Sequence, residues 1–141
     1  MTREETLAFI ENRDAAWRRL DEAALALGHA EDGTVVSPLF ARIQGRDAIR
    51  KSYASLFDAF PDWAFGGEAP LIDGDRIALP FRARATHRGR LMGLEGTGRR
   101  CEIRGVMLMD MRDGLIAHEQ RIYDFTGLLI QVGVLRSKPG F

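Results

Sequence analysis

The stretch "RRCEIRGVMLMDMRDGLIAHEQRIYD" (residues 99–124) reads as two long strands joined by a tight turn. Met107, Met109 and Met111 alternate along the first strand, and "RDG" at 112–114 supplies the turn residues. Upstream, "WAFGGEAPLI" (63–72) and "RIALPFRARATHRG" (76–89) have the same strand character, with "DGD" at 73–75 as a turn. The glycine-rich "RGRLMGLEGTG" (88–98) connects them to the hairpin. The chain before residue 62 is different in kind. Residues 2–28 read as one long helix: Thr2 and Glu5 fit a capping box, Leu7, Ile10, Trp17, Leu20, Ala24 and Leu27 recur at helical spacing, and Gly28 is a stop signal. "TVVSPLF" (34–40) is a short strand or an irregular connector, broken by Pro38. After Gly45, residues Ile49, Tyr53, Leu56, Phe57 and Phe60 share one face of a second helix, which Pro61 ends. "FTGLLIQVGVL" (125–135) is a short helix or helical turn.

Helices followed by a run of long strands predict an α+β fold, with N-terminal helices packed on a strongly curved, mainly antiparallel sheet. Such a sheet forms a cone with an internal pocket for a ligand. The 141 residues suit one domain, 1–141, and an apolar fraction of 45% with 28% charged residues is ordinary for a globular chain, leaving only the terminal "SKPGF" (137–141) as disordered.

Lys+Arg and Asp+Glu balance at 20 each, so no global attraction draws the chain to nucleic acid or an anionic membrane. All but Lys51 and Lys138 of the bases are arginine. Those at 82, 84, 88, 90, 99, 100 and 104 are expected on a solvated sheet face, paired with acids, since no aromatic stacking signature accompanies them. The one cysteine, Cys101, excludes an internal disulfide and reads as a small buried residue. No signal peptide and no apolar run of spanning length are visible, which predicts a cytoplasmic protein. His29, His87 and His118 show no paired ligand spacing, so no metal is expected, and "GLEGTGRR" (93–100) lacks the Gly-Lys-Ser/Thr ending of a phosphate loop.

Strict alternation along the last strand puts Ile116, His118, Gln120, Ile122 and Asp124 on one face and Glu119, Arg121 and Tyr123 on the other. The first set is the more apolar, so Asp124 is a candidate acid/base whose pKa an apolar cavity would raise. The same "DFTGLL" is also a plausible helix start with Asp124 as N-cap, and the sequence leaves both readings open. His87 follows Phe81, Ala83 and Ala85 on an apolar strand face, where it could donate to a carbonyl or sit as a satisfied core histidine. Trp17, Tyr53, Trp63, Met107, Met109, His118 and Gln120 are candidates for the pocket wall, the aromatics being as readily plain core. His29, next to the helix stop, is expected to be solvated, and Asp62 to cap or turn the chain.

The pieces "GRDAI" (45–49), "LFDAFPDW" (56–63), "DGDRIA" (73–78), "THRG" (86–89), "GTGRR" (96–100), "RDGLI" (112–116) and "YDFTGLLIQVGVL" (123–135) fall in an order that resembles the SnoaL-like polyketide cyclases, of the nuclear transport factor 2-like α+β cone superfamily. The resemblance implies a cofactor-independent cyclase or isomerase acting on a small apolar or weakly acidic carbonyl compound, with Asp124 and His87 in the catalytic positions. Ala85 and Arg88 depart from the family's "GTHTG" stretch. The resemblance also implies a homodimer, which a strand "GVMLMDM" (105–111) apolar on both faces would suit. A non-catalytic binding or dimerisation domain of the same fold is the alternative.

Overall fold

The computed structural model describes residues 1–136, so the terminal "SKPGF" lies outside the described residues. Helix α1 (Arg3–Arg19) opens on the expected capping box, with Thr2 accepting from the Glu5 N–H and Glu5 accepting from the Thr2 N–H. It does not run to residue 28. Leu20 takes a left-handed conformation, and Asp21 caps a separate helix α2 (Glu22–Leu27) by accepting from the Ala24 N–H. Apolar spacing continues across this break, so periodicity alone could not show it.

Strand β1 (His29–Ser37) is longer than "TVVSPLF" suggested, and it turns back on β2 (Ala41–Gln44). Helix α3 (Arg46–Ala59) ends before Pro61 as expected. The segment 63–72 divides into β3 (Ala64–Gly67) and β4 (Leu71–Asp73). Then follow β5 (Arg76–Thr86), β6 (Arg100–Arg112), β7 (Leu115–Tyr123) and the closing helix α4 (Phe125–Gln131).

The sheet has the order β2-β1-β7-β6-β5-β3, with β4 on a second stretch of β5. All pairs are antiparallel except β1 with β7, so the sheet is mixed and not closed. The helices cover its concave face. Trp17 stacks on Phe65 at 4.6 Å, and Phe65 stacks on Phe81 at 5.4 Å, which ties α1 through β3 to β5. Val35, Ile77, Leu79, Ile103 and the three alternating methionines of β6 fill the same layer. Of the seven arginines expected on a solvated sheet face, Arg82 and Arg104 both approach Glu68 at 3.9 Å and Arg90, in the loop after β5, meets Glu95 at 3.0 Å, whereas Arg84, Arg88, Arg99 and Arg100 make no ion pair among the described residues.

Two irregularities decide which side chains face inward. In β7, Ile116 pairs with Met111 but His118 pairs with Asp110, so Ala117 is an extra residue with no partner. In β1, His29 pairs with Ile116 but Thr34 pairs with His118, so the segment 30–33 loops out opposite Ala117. Each side chain of β7 beyond the bulge therefore lies on the face opposite to that expected by counting from Ile116. Arg121 is 8% exposed and Glu119 fully buried, whereas Ile122 is 45% exposed.

The chain from α3 to β3 is held against the end of β5. Asp62 accepts from both the N–H and the hydroxyl of Thr86 at 2.7 Å, and the N–H groups of Arg88 and Gly89 donate to the Ala59 carbonyl. A Cβ on Gly89 would collide with the backbone carbonyl of Asp58. Gly89→Ala is therefore expected to lower stability by about 2 kcal/mol or more, measured by urea denaturation.

Candidate functional site

Beneath the helices the cone holds a buried polar cluster drawn from four elements. Arg13 comes from α1, where it shares the apolar stripe of Ile10 and Trp17. Tyr53 comes from α3, His29 opens β1, and Glu119 and Arg121 point inward from β7. The Tyr53 hydroxyl is the common partner. Arg13 Nη2 donates to it at 2.8 Å and Arg121 Nη2 at 2.9 Å, while His29 Nε2 lies 2.9 Å away. Guanidinium groups only donate. The one phenolic proton must therefore go to His29 Nε2, which makes His29 a neutral imidazole protonated on Nδ1. Burial, with Arg13 acting in the same direction and Glu119 against it, holds the His29 pKa down at about 3, in agreement with a neutral ring.

Glu119 binds Arg121 Nε through Oε2, and Arg13 Nη2 stands 3.8 Å from its Oε1. Burial works most strongly against the charge of Glu119, but Arg121, His29 and Arg13 together outweigh it and hold the carboxyl below the usual carboxylate range. Burial likewise opposes the charge on Arg121, and Glu119 with Tyr53 and Tyr123 together override it. This pair is a locked, ionised structure and not a poised proton carrier.

Beside the cluster, sharing Arg121 with it, lies a cavity of about 30 Å³. Its apolar walls are Leu56 of α3, Phe60 at the C-cap of that helix, Trp63, Ile103 and Leu128 of α4, and its polar walls are Ser37, Arg121 and Tyr123. Leu39 and Phe40, in the turn between β1 and β2, complete the cavity and also wall an outer groove of about 440 Å³, so these two side chains form the partition between inside and outside. Arg121 Nε and Nη2 are taken by Glu119 and Tyr53, and Nη1 has no hydrogen-bond partner among the described residues. The indole Nε1–H of Trp63 is buried without a partner. Burial pushes the Tyr123 phenol up, with Arg121 and the backbone of Leu39 pulling the other way. A wider surface groove of about 570 Å³ runs past Arg84, Arg100 and Glu102, but Gln131 already satisfies the Glu102 backbone there, and Asp62 is committed to Thr86.

The residues expected at the site are only partly brought together. Trp63 lines the cavity. Tyr53 and Trp17 are buried core, Tyr53 supporting Arg121 from below. Met107 and Met109 face inward opposite Arg121 and Glu119 in the ladder, beneath the cavity and not on its wall. His118 and Gln120 lie on the outer face, where His118 Nδ1 meets the Thr34 hydroxyl at 2.6 Å and Gln120 is exposed. Asp124 is exposed and caps α4, accepting from the Gly127 N–H at 2.8 Å, so its expected placement on the pocket face is corrected. His87 is fully buried on the far side of Phe60, at 5.7 Å between rings, and its Nδ1 accepts from the Thr97 N–H, which leaves Nε2–H buried without a partner. His29 is buried, not solvated, because the β1 irregularity turns it inward.

Arg121, Glu119, Tyr123 and Arg13 are not among the residues expected at the site. Two signals pointed to them: an arginine on an apolar helical stripe, and an acid and an arginine two residues apart on a strand.

Tyr53→Phe removes the shared oxygen and strands two guanidiniums and an imidazole, so it is expected to cost about 2–4 kcal/mol in urea unfolding. Asp124→Ala loses only a cap and is expected to cost about 1 kcal/mol. Unfolded His29 takes a proton below its ordinary pKa of 6.5, but folded His29 does not until about 3. Stability contributed by His29 is thus complete above that upper value and lost on acidification, by about 1.4 kcal/mol per pH unit within the window. His29→Gln, which keeps an acceptor for Tyr53, is expected to flatten this part of the unfolding free energy against pH.

Residues 9–132 match the model of the SnoaL-like polyketide cyclase family. No curated protein sequence matches the chain. Among solved structures, AclR from Streptomyces galilaeus, assigned provisionally as a hydroxylase, is 25% identical with a TM-score of 0.83, over 98% of this chain and 91% of AclR. IdmH from Streptomyces antibioticus, assigned provisionally as a polyketide cyclase, is 24% identical with a TM-score of 0.73, over 89% of this chain and 96% of IdmH. A protein from Catenulispora acidiphila with a ketosteroid isomerase-like fold, solved with trimethylamine, is 20% identical with a TM-score of 0.76, over 89% of this chain and 92% of its own. With the family model covering most of its length, the chain belongs to the SnoaL-like polyketide cyclases.

Proposed function

We propose that this chain carries out a cofactor-independent ring closure, or a related isomerisation, of a small carbonyl compound held in the cone, with Arg121 as the group that stabilises the oxyanion. One observation carries this reading: Arg121 lines the cavity with Nη1 unengaged, while Glu119 and Tyr53 fix the other two guanidinium nitrogens. A donor already locked in place needs no reorganisation when charge develops on a substrate oxygen. Leu56, Phe60, Ile103 and Leu128 supply apolar surface for the carbon skeleton. Membership of the cyclase family supports the reaction class.

One observation favours a second reading, ligand binding without turnover: no cavity-lining side chain is a carboxylate or a histidine. The two readings separate in one assay. An acyclic β-diketone bearing a remote methyl ketone is incubated with the protein, and ring closure is followed by NMR. On the enzymatic reading the wild type closes the ring faster than buffer does. Arg121→Gln lowers the rate by about 10²–10³, and Asp124→Asn leaves it unchanged. Thermal stabilisation by the diketone with no closure above background would establish the binding reading instead.

A further inference from the structure

Every polar side chain on the cavity wall can donate a hydrogen bond, and none is solely an acceptor. Arg121 offers Nη1, Trp63 offers a buried and unpartnered indole N–H, and Ser37 and Tyr123 offer hydroxyls. The Ser37 oxygen already accepts from the Phe40 N–H, so its remaining capacity includes its own proton. Trp63 and Arg121 are each 8% exposed, so both groups sit where an unpaired donor is costly. Such a wall suits a ligand that is all acceptor. It also has no carboxylate or imidazole to create an enolate from a neutral ketone.

We propose that the cavity takes its ligand already ionised, as a conjugated enolate whose negative charge is shared between carbonyl oxygens, set against Arg121 and Trp63. This deepens the proposed function and rests on Arg121 being its oxyanion group. A preformed enolate removes the need for a protein base. Its carbon gives an electron pair to a second carbonyl carbon, the π pair of that carbonyl passes to its oxygen, and the resulting alkoxide takes a proton from water, leaving hydroxide. The cavity of about 30 Å³ holds little more than one oxygen group at present. A ring system would require Leu39 and Phe40, the partition shared with the outer groove of about 440 Å³, to move aside.

The test uses lawsone, a hydroxynaphthoquinone ionised at neutral pH, and its methyl ether, which has nearly the same shape and no charge. Calorimetric titration of the full chain at neutral pH is expected to show lawsone binding at least about tenfold more tightly than the ether, the size of one charge-assisted hydrogen bond. The preference is expected to vanish in Arg121→Gln and to weaken in Trp63→Phe, which keeps the ring bulk and loses the N–H. Trp63→Phe keeps the proposal testable if Arg121→Gln does not fold. Equal binding of the two compounds, binding of neither, or a preference that survives both substitutions would overturn it. Ring closure of the β-diketone that still depends on Arg121 would then leave the proposed function standing. Conversely, selective lawsone binding with no ring closure would remove the function and keep the anionic ligand.

Discussion

The hydroxyl of Tyr53 joins three elements at one oxygen, and the interior of the cone is organised around it. Arg13 from α1 and Arg121 from β7 both donate to it, and its proton goes to His29 on β1. A phenol can satisfy two donors and one acceptor, so this arrangement uses its full capacity. Because the oxygen is shared, the orientation of Arg121 depends on α1, which never touches the cavity, as well as on α3, which lines it. The ion pair with Glu119 then fixes the same guanidinium from the other side. Replacing such a cluster by apolar residues of similar volume would often stabilise a protein. Its presence here fits a site in which a cation must be held still.

Much of the fold was legible in the sequence because it follows from local chemistry. Pro61 ends α3, the "RDG" turn joins β6 to β7, and the alternating methionines face the core. The break after Arg19 was not legible, since the apolar spacing runs through it and only the left-handed Leu20 marks it. The site failed for a sharper reason. Counting by twos from Ile116 is correct until Ala117, where one unpaired residue reverses the faces. The apolar pattern then misleads, because Ile122 lies on the outer face at 45% exposure and the inner face carries Glu119, Arg121 and Tyr123. A bulge has no compositional signal here, as Ala is ordinary in any strand position.

Asp124 shows how two readings of one residue are separated by geometry. Its carboxylate accepts from the Gly127 N–H and stands in solvent, one residue beyond the end of β7. The cap still matters to the cavity, because α4 contributes Leu128 to the wall. A residue outside the cone thus shapes the cavity by starting the helix that closes it.

The partition formed by Leu39 and Phe40 bears on time as well as shape. If the proposed ligand enters past this wall, it must also leave past it, so entry and exit would both wait on the same turn between β1 and β2. The apparent affinity is then the intrinsic affinity scaled by the fraction of molecules with the turn open. A substitution that loosens this turn, without touching Arg121 or Trp63, would raise the association rate while leaving the chemistry of recognition intact. On the proposed reading, residence time would be set by this surface turn, and selectivity by Arg121 and Trp63 on the cavity wall.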